Sequence, residues 1–380
     1  MTSISIPRLK FELACLVNEM LDNLPKWVWS SKCSTFLDPS MGGGQFVSAI
    51  EKRLREAGWS DENIRNRVFG LESDEMVMNF AINKNKLVGT YRVLDFLSWE
   101  PEMKFDVIVG NPPYQGKAAL HQQFFNKAVE MTVNDGIVCF IQPATPYFNK
   151  KTKKKAPEET MINFVKNYDT TVKFVSPEMF DGADIATDLS ITILTKKIGD
   201  KSVDITYRDG SVYKNTSVED INMTMINPTQ YKSIRDKYIN FIAKNGSLHD
   251  KTNYNAPSKS GMHLQKVRGH LGQPDFYTLV SNNRDYAKEN ENSAAAVLIP
   301  TAEYNYFYEY AKTFVARMGL SLSKFNSNNH MGELRTVPLV PFDRIWSDED
   351  LAKLIGLTDE ELDLIRSVLP DYHGLLKNVG

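Results

Sequence analysis

The residues Asn111, Pro112, Pro113 and Tyr114 offer a set of groups suited to binding a planar amine. The amide oxygen of Asn111 and the main-chain carbonyl of Pro112 can accept the two N–H bonds of an amine attached to an aromatic ring. The side chain of Tyr114 can stack on that ring. Two consecutive prolines restrict the backbone and hold these groups on a rigid turn. An ordinary Pro-rich turn after a strand is the alternative interpretation.

The segment just before this turn predicts a strand that would position it. Residues 104–110 are mostly apolar and β-branched, and the run ends in Gly110. In open α/β sheets, ligands bind at the carboxyl ends of the strands. The sequence therefore predicts that Asn111 lies at a ligand-binding edge.

A glycine-rich turn upstream provides a second candidate site. A strand predicted at residues 34–37 leads into the turn at residues 38–46, and a helix is predicted from there to residue 57. Glycines let the backbone approach a ligand, and the N–H groups of the first helical turn point toward it. A glycine turn alone is weak evidence, because many such turns are simply loops.

Acidic residues end the next two predicted strands. Glu72 follows the strand at residues 67–71, about 20–30 residues after the glycine turn, where an acid can accept both hydroxyls of a ribose. A cap for the helix that begins near Asp74 is the alternative role. Asp95 follows the strand at residues 91–94 and could bond the exocyclic amine of a cofactor adenine. Phe96 could pack on that adenine, or belong to the core.

Predicted helices alternate with short apolar strands as far as about residue 195. A turn at residues 134–136 is predicted to precede a fifth strand at residues 137–141. This alternation predicts a Rossmann-like, doubly wound, mostly parallel α/β sheet. Beyond residue 200 the sequence becomes richer in Asn, Ser, Tyr and Lys, and the alternation stops. We therefore predict two domains, at residues 1–205 and 206–380, the second being mixed α/β with a C-terminal helical segment.

Composition narrows the class of protein. The chain has 380 residues, of which 42% are hydrophobic, enough for two globular domains. Its three cysteines are far apart and lack metal-ligand spacing, which indicates a reducing compartment and predicts no metal site. No apolar run approaches the length of a membrane span, and no membrane association is predicted. A net charge of -2 gives no sign of nucleic-acid binding, although segregated charge can still create a basic face.

In their order and spacing, these motifs resemble the S-adenosylmethionine-dependent amino-methyltransferases of DNA. The resemblance covers about residues 36–194 and rests on Asp38-Pro39-x-x-Gly42-x-Gly44-x-Phe46, Glu72, Asp95-Phe96 and Asn111-Pro112-Pro113-Tyr114. The order is that of the gamma group, the Taq-type adenine-N6 methylases of restriction-modification systems, whose cofactor half precedes a target-recognition domain. It implies a methyltransferase sheet in the first domain. The Thr-Pro pair that the family carries before its first helix is missing here.

The resemblance implies a role for each motif residue toward S-adenosylmethionine. The implied cofactor residues are Asp38, Gly42 and Gly44 for the methionine part, Glu72 for the ribose, and Asp95 and Phe96 for the adenine, with Phe46 and Asn111 in the same site.

A second set of implied roles concerns the target. Asn111 and Pro112 hold the target amine, Tyr114 stacks on the target base, and Phe180 is a second stacking aromatic. The implied reaction methylates the N6 amine of an adenine that has been flipped out of duplex DNA. Asn at the first motif position is typical of adenine-N6 enzymes, whereas Ser is common in the cytosine-N4 group.

The implied partners are double-stranded DNA and, unless the protein is an orphan methylase, a separate restriction endonuclease. The implied location is the cytoplasm of a prokaryote, with a phage-encoded protein as the other possibility. Enzymes that methylate guanine N2 of RNA or a glutamine side chain share the same motif, but they normally place their recognition module first. A non-catalytic DNA-binding module is the remaining alternative, although no motif residue has been lost.

Within the second domain, residues 244–270 contain five Lys or Arg residues and one acid, Asp250. A basic, loop-rich region suits a DNA groove, where Lys259 and Lys266 would neutralise phosphates and Arg268 would read a guanine edge. A solvated loop is the alternative. Residues 150–155 and 326–330 are the other candidate DNA-binding segments.

Overall fold

The larger of the two sheets in the described residues has nine strands. Its strands are β1 (Phe36–Asp38), β2 (Val68–Glu72), β3 (Thr90–Val93), β4 (Phe105–Gly110), β5 (Thr132–Pro143), β6 (Asp169–Val175), β7 (Leu189–Thr195), β8 (Val203–Thr206) and β9 (Val212–Tyr213). Across the sheet they lie in the order β3-β2-β1-β4-β5-β7-β6-β8-β9. The first five in that order pair in parallel, β7 is antiparallel to both of its neighbours, and β9 is antiparallel to β8. The prediction of a mostly parallel α/β sheet is therefore confirmed.

The computed structural model describes residues 6–114, 120–144, 164–165, 167–175, 189–197, 203–207, 210–214, 227, 229–251, 263–265, 279–281, 295–296, 300–323 and 331–369. The chain divides into two compact units. The first unit consists of Met1–Ala183, Leu189–Thr206 and Val212–Ile221, and the second of Asp184–Asp188, Tyr207–Ser211 and Asn222–Gly380. The boundary predicted between residues 205 and 206 falls inside β8. The functional assignment of each unit stays a prediction.

Helices of the first unit precede β1 or lie between successive parallel strands along the chain. They are α1 (Ile6–Asp22), α2 (Lys26–Ser30), α3 (Gln45–Glu56), α4 (Asp61–Arg67), α5 (Glu75–Asn85) and α6 (Leu120–Met131). Two of them begin at the capping side chains that favour helix starts. Ser60 accepts a hydrogen bond from the Asn63 N–H, and Asp74 accepts bonds from the first turn of α5. These caps fix where α4 and α5 begin, and α5 begins just after β2 ends.

Strand β4 shows why the chain places Asn111 where it does. Val107, Ile108 and Val109 are fully buried, as expected for a parallel strand whose two faces are covered. The strand ends at Gly110, where a Cβ atom would lie only 2.8 Å from Oδ1 of Asp38. Only glycine therefore lets the end of β4 lie this close to the end of β1.

The prediction of a turn at residues 134–136 is wrong, because these residues belong to β5. Asp135 adopts a left-handed φ of 61°. Its N–H nevertheless donates to the carbonyl of Lys196, and the Lys196 N–H donates to the carbonyl of Gly136. Pairing with Lys196 thus continues across the irregular region. The residues whose sequence indicates a turn instead form a bulge inside a longer strand.

Most of the described residues of the second unit lie in helices. They are α7 (Lys232–Asn245), α8 (Tyr304–Lys312), α9 (Phe314–Ser321), α10 (Asp348–Ile355) and α11 (Asp359–Val368), beside an antiparallel sheet of β10 (His263–Gln265), β11 (Leu279–Ser281) and β12 (Ala295–Ala296). Buried tyrosines bond across the core: the Tyr238 hydroxyl donates to the Val315 carbonyl at 2.7 Å. Lys237 pairs with Glu361 at 2.6 Å. Helices beside a small sheet agree with the predicted mixed α/β class.

The described residues contain neither a membrane-spanning helix nor a cluster of metal ligands. None of their helices combines the length and apolarity that crossing a bilayer requires. No group of three or more His, Cys, Asp or Glu side chains among them is arranged to hold a metal ion.

Candidate active site

A cavity of about 440 Å³ lies in the first unit, at the carboxyl ends of β1, β2, β3 and β4. Its lining comes from the loops after these strands and from α6: Pro39, Ser40, Glu72, Ser73, Leu94, Asp95, Phe96, Asn111, Pro113, Leu120 and Phe124. This volume lies within the usual range for small-molecule sites. Four residues predicted from the sequence are thereby brought together, namely Glu72, Asp95, Phe96 and Asn111.

Asn111 carries an acceptor that the protein leaves unused. Its side-chain Oδ1 atom is buried and has no hydrogen-bond partner among the described residues, although the residue borders the cavity. Buried polar atoms are almost always bonded, and leaving one unbonded costs about 1–3 kcal/mol. The main-chain carbonyl of Asn111, in contrast, accepts a hydrogen bond from the Ser40 hydroxyl at 3.1 Å. The backbone is therefore held while the amide oxygen remains available to a ligand.

Tyr114 is anchored by its hydroxyl group. The hydroxyl donates to the main-chain carbonyl of Ile141, in β5, at 3.1 Å. Burial raises the pKa of Tyr114 above its usual value, so the hydroxyl stays protonated and remains a donor. Tyr114 and Pro112 do not line the cavity, but they belong to the same rigid turn as Asn111. The bond to Ile141 restricts the positions that the ring of Tyr114 can take.

The carboxylate of Glu72 is oriented by main-chain donors. Its Oε2 atom accepts a bond from the Gly42 N–H at 2.9 Å, and its Oε1 atom accepts the N–H groups of Ser73 and Asp74 at 2.8 and 3.1 Å. The alternative role as the cap of α5 is filled by Asp74, whose Oδ1 accepts from Met76. Glu72 therefore ties the glycine turn to the end of β2 beside the cavity.

Asp38 lies behind the cavity wall and is 1% exposed. Its Oδ1 atom accepts the Ser40 N–H at 3.1 Å. Burial raises the pKa of Asp38 to about 7; the Ser40 N–H opposes this shift, and the nearby negative charge of Glu72 adds to it. Asp38 therefore exchanges its proton near neutral pH, and a cation bound close by would favour its ionised form.

The glycine turn takes the conformation that its sequence requires. Gly42 and Gly44 have φ values of 48° and 77°, in the left-handed region that favours glycine. Neither lines the cavity, and Gly42 is connected to it through the bond to Glu72. Phe46 is 6% exposed and belongs to the buried face of α3. The predicted contacts of Gly42, Gly44 and Phe46 with a cofactor stay predictions.

The loop after β3 combines an exposed acid with a buried ring. Asp95 is exposed, and its Oδ1 atom accepts the Leu97 N–H at 3.2 Å. Phe96 is 1% exposed and packs on Phe124 with ring centroids 5.0 Å apart. Lys127 donates to the Leu97 carbonyl at 2.9 Å and holds this loop against α6. Phe96 is thus both a core residue and part of the cavity wall.

Seven residues of the cavity lining were not predicted as site residues: Pro39 and Pro113, which belong to the quoted motifs, and Ser40, Ser73, Leu94, Leu120 and Phe124. Leu120 and Phe124 could be found as an i, i+4 pair on α6, next to the face formed by Phe125, Ala128 and Val129. Ser40 and Ser73 carry no comparable signal, because a single serine beside a strand end is common.

His121 follows Leu120 on α6 and is buried, and neither of its ring nitrogens has a hydrogen-bond partner within the described ranges. Burial lowers its pKa to about 4, so the imidazole is neutral at physiological pH. It does not line the cavity. His121 therefore adds no positive charge to this site.

Several predicted residues lie outside the described part of the chain. These are Phe180, Lys259, Lys266 and Arg268, together with the alternative basic and Asn-rich segments at residues 150–155 and 326–330. Their roles stay predictions.

A family model provides the first comparison with known proteins. Residues 46–180 match the model described as the Eco57I restriction-modification methylase. The matched segment includes Glu72, Asp95 and the Asn111–Tyr114 turn. The resemblance to restriction-modification methylases is thereby confirmed, whereas the gamma-group assignment stays a prediction.

Two curated relatives from viruses of Chlorella also match parts of the chain. The Type II methyltransferase M.CvrRI of Paramecium bursaria Chlorella virus XZ-6E is 32% identical over 21% of this chain and 18% of its own length. The modification methylase CviBIII of Paramecium bursaria Chlorella virus NC1A is 31% identical over 29% of this chain and 31% of its own length. The match thus spans less than a third of either relative.

Solved structures give a weaker similarity. The M protein of the Type I restriction enzyme EcoKI is 14% identical, with a TM-score of 0.39 over 54% of this chain and 48% of that chain. The methyltransferase subunit of a type I restriction-modification system from Streptococcus thermophilus is 18% identical, with a TM-score of 0.37 over 61% and 53% of the two chains. At these scores the similarity carries no argument about function.

Proposed function

We propose that this chain, whose residues 46–180 match the Eco57I restriction-modification methylases, is a DNA methyltransferase that uses S-adenosylmethionine to methylate the N6 amine of adenine. The observation that carries the proposal is the buried Oδ1 atom of Asn111, which has no partner in the described part of the chain and belongs to a residue at the cavity wall. An amine donor in the cavity would satisfy this acceptor. A purely structural turn gives no reason to bury an unbonded amide oxygen.

The residues around the cavity fit S-adenosylmethionine chemically. This molecule carries positive charge on its sulfur and its amino group, and the cavity region contains the carboxylates of Glu72, Asp95 and Asp38. Leu94, Leu120 and Phe124 provide an apolar wall for a purine ring. Glu72 would hold the ribose hydroxyls, for which its Oε2 atom retains accepting capacity beside the single bond from Gly42.

S-adenosylmethionine, when bound, would supply an activated methyl group, which the lone pair of the target nitrogen would accept while the electron pair of the S–CH₃ bond stays on sulfur. Asn111 and the Pro112 carbonyl would accept the two N–H bonds of the amine and turn its lone pair toward the methyl carbon. They would also stabilise the positive charge that develops on nitrogen. The methylated nitrogen would then release one proton to water, so the reaction would require no dedicated base.

Tyr114 would support the target ring. An adenine in duplex DNA cannot reach the cavity, so the nucleotide must be flipped out and stacked on protein side chains. The ring of Tyr114 is held by the hydrogen bond to Ile141, which limits the entropy lost when a base stacks on it. Phe180 stays a proposed second stacking residue.

The second unit is proposed to recognise the DNA sequence around the target base. The proposed contacts are Lys259 and Lys266 to phosphates and Arg268 to a base edge. A separate restriction endonuclease is a proposed partner.

The two acceptors of Asn111 and Pro112 also suit a guanine N2 amine in RNA or a glutamine side chain in protein, so the test must offer all three substrates. The purified chain is incubated with S-adenosylmethionine labelled in the methyl group and with genomic DNA, ribosomal RNA or a release factor. We expect label in DNA, and N6-methyladenine in its nucleoside digest. Label in RNA or protein, with none in DNA, would overturn the proposal.

A further inference from the structure

Ser40 connects two of the motifs at the cavity. Its hydroxyl donates to the main-chain carbonyl of Asn111 at 3.1 Å, and its own N–H donates to Oδ1 of Asp38 at 3.1 Å. Ser40 is half-buried and lines the cavity. One residue at the end of β1 therefore fixes the backbone that follows β4.

The bonded carbonyl belongs to the peptide that joins Asn111 to Pro112. This peptide has no N–H group, because Pro112 lacks one, and so its carbonyl is the one group through which a hydrogen bond can fix the peptide plane. That plane sets the ψ angle of Asn111. It thereby affects both proposed acceptors, the Asn111 side chain before the peptide and the Pro112 carbonyl after it.

We infer that Ser40 is a positioning residue for methyl transfer: its hydroxyl holds the Asn111–Pro112 peptide so that the two acceptors meet the target amine together. This inference rests on the proposed function and extends it to a residue outside the motif positions. Ser40 acts through Asn111 and Pro112, with no contact of its own to the reacting atoms.

The structure makes this role separable from cofactor binding. The Ser40 hydroxyl has no bond to Glu72 or Asp95, and the bond from Ser40 to Asp38 comes from the main chain, which substitution by Ala or Thr preserves. Replacing Ser40 by Ala should therefore change turnover and leave the affinity for S-adenosylmethionine nearly unaltered.

The experiment measures kcat, the KM for DNA and the calorimetric Kd for S-adenosylmethionine in Ser40→Ala and Ser40→Thr. For Ser40→Ala we expect kcat to fall by roughly 3- to 15-fold, as for loss of one hydrogen bond. The KM for DNA and the Kd for S-adenosylmethionine should stay within about twofold of the parent values. Ser40→Thr keeps the donor and should recover most of the turnover. A matched control is Ser30→Ala, since the Ser30 hydroxyl donates to the main-chain carbonyl of Lys26 at 3.3 Å in a surface helix. It should leave kcat unchanged.

A double-mutant cycle tests whether the effect passes through Asn111. Ser40→Ala should reduce kcat less in an Asn111→Ser background than in the parent chain, because the side chain that it positions has been replaced. An equal fold-change in both backgrounds contradicts transmission through Asn111. An active parent with an unaffected Ser40→Ala variant overturns the inference alone, whereas a parent inactive on DNA overturns the proposed function.

Discussion

Replacement of Asn111 by Ala should separate activity from stability. The Oδ1 atom of Asn111 is buried and no described residue bonds it, which costs the folded protein about 1–3 kcal/mol. Alanine removes that atom. Because Asn111 already borders the cavity, the substitution enlarges an existing space and opens no new hole in the core. We expect the free energy of unfolding to rise by about 1 kcal/mol, equivalent to about 2–4 °C in Tm for a unit of this size.

Methyl transfer should change in the opposite direction. Loss of an acceptor that stabilises charge in the transition state lowers turnover by roughly 100-fold or more. The bond from Ser40 goes to the main-chain carbonyl of Asn111 and survives the substitution, so cofactor affinity should stay nearly unchanged.

The assay combines calorimetric unfolding without ligand, titration with S-adenosylmethionine and a methyl-transfer rate. Asn85→Ala is the matched control, because the Asn85 amide is bonded, donating to the carbonyls of Gly43 and Ala81 at 3.0 and 2.9 Å. It should lower Tm. If Asn111→Ala destabilises the protein as much as Asn85→Ala does, the Asn111 amide has a structural partner and the reasoning is refuted.

Four further predictions concern neighbouring residues. Glu72→Ala should weaken S-adenosylmethionine binding by at least roughly 10-fold, because charge-assisted bonds to the ribose are lost; an unchanged calorimetric Kd removes Glu72 from the site. The Asp38 carboxyl, whose pKa burial raises to about 7, is increasingly protonated below that pH, and a bound cation favours its ionised form. The Kd should therefore tighten by up to about fivefold from pH 6 to pH 7 and by up to about tenfold from pH 6 to pH 8, where it levels off; a profile that stays as steep in Asp38→Asn assigns the effect to another group. Gly110→Ala places a Cβ atom 2.8 Å from the Asp38 carboxyl oxygen and should lower stability by about 1–3 kcal/mol as well as turnover, and unfolding curves that match the parent's would contradict the contact. Tyr114→Phe loses one hydrogen bond and should lower turnover by less than about 10-fold, whereas Tyr114→Ala also loses about 1–3 kcal/mol of base stacking; equal losses in the two variants mean that the hydroxyl, and not the ring, matters.

The sequence predicted the strand ends of the site because these depend on local patterns. Apolar runs that stop at an acid or at a glycine marked the ends of β2 and β4, and parallel strands bring such ends to one edge. Glu72 and Asn111 could therefore be placed together without a structure. The same reasoning predicted the alternation of strands and helices in the first unit.

What could not be predicted depends on contacts between distant residues. The hydroxyl of Ser40 reaches Asn111, which lies 71 residues away, only because β1 and β4 are neighbours in the sheet. Likewise, the Asn134–Gly136 signal indicates a turn until pairing with Lys196 extends the strand through it. Local sequence also cannot distinguish a buried ring in the core from one in a cavity wall, and Phe96 is both.

The most direct test of the proposed function is single-molecule sequencing of DNA from cells that express the parent chain or its Asn111→Ala variant. We expect N6-methyladenine within one defined sequence motif in cells with the parent chain, and none above background in cells with the variant. DNA without modified adenine in both cases, or an equal level of modification with the variant, would contradict the assignment of Asn111 to methyl transfer on adenine.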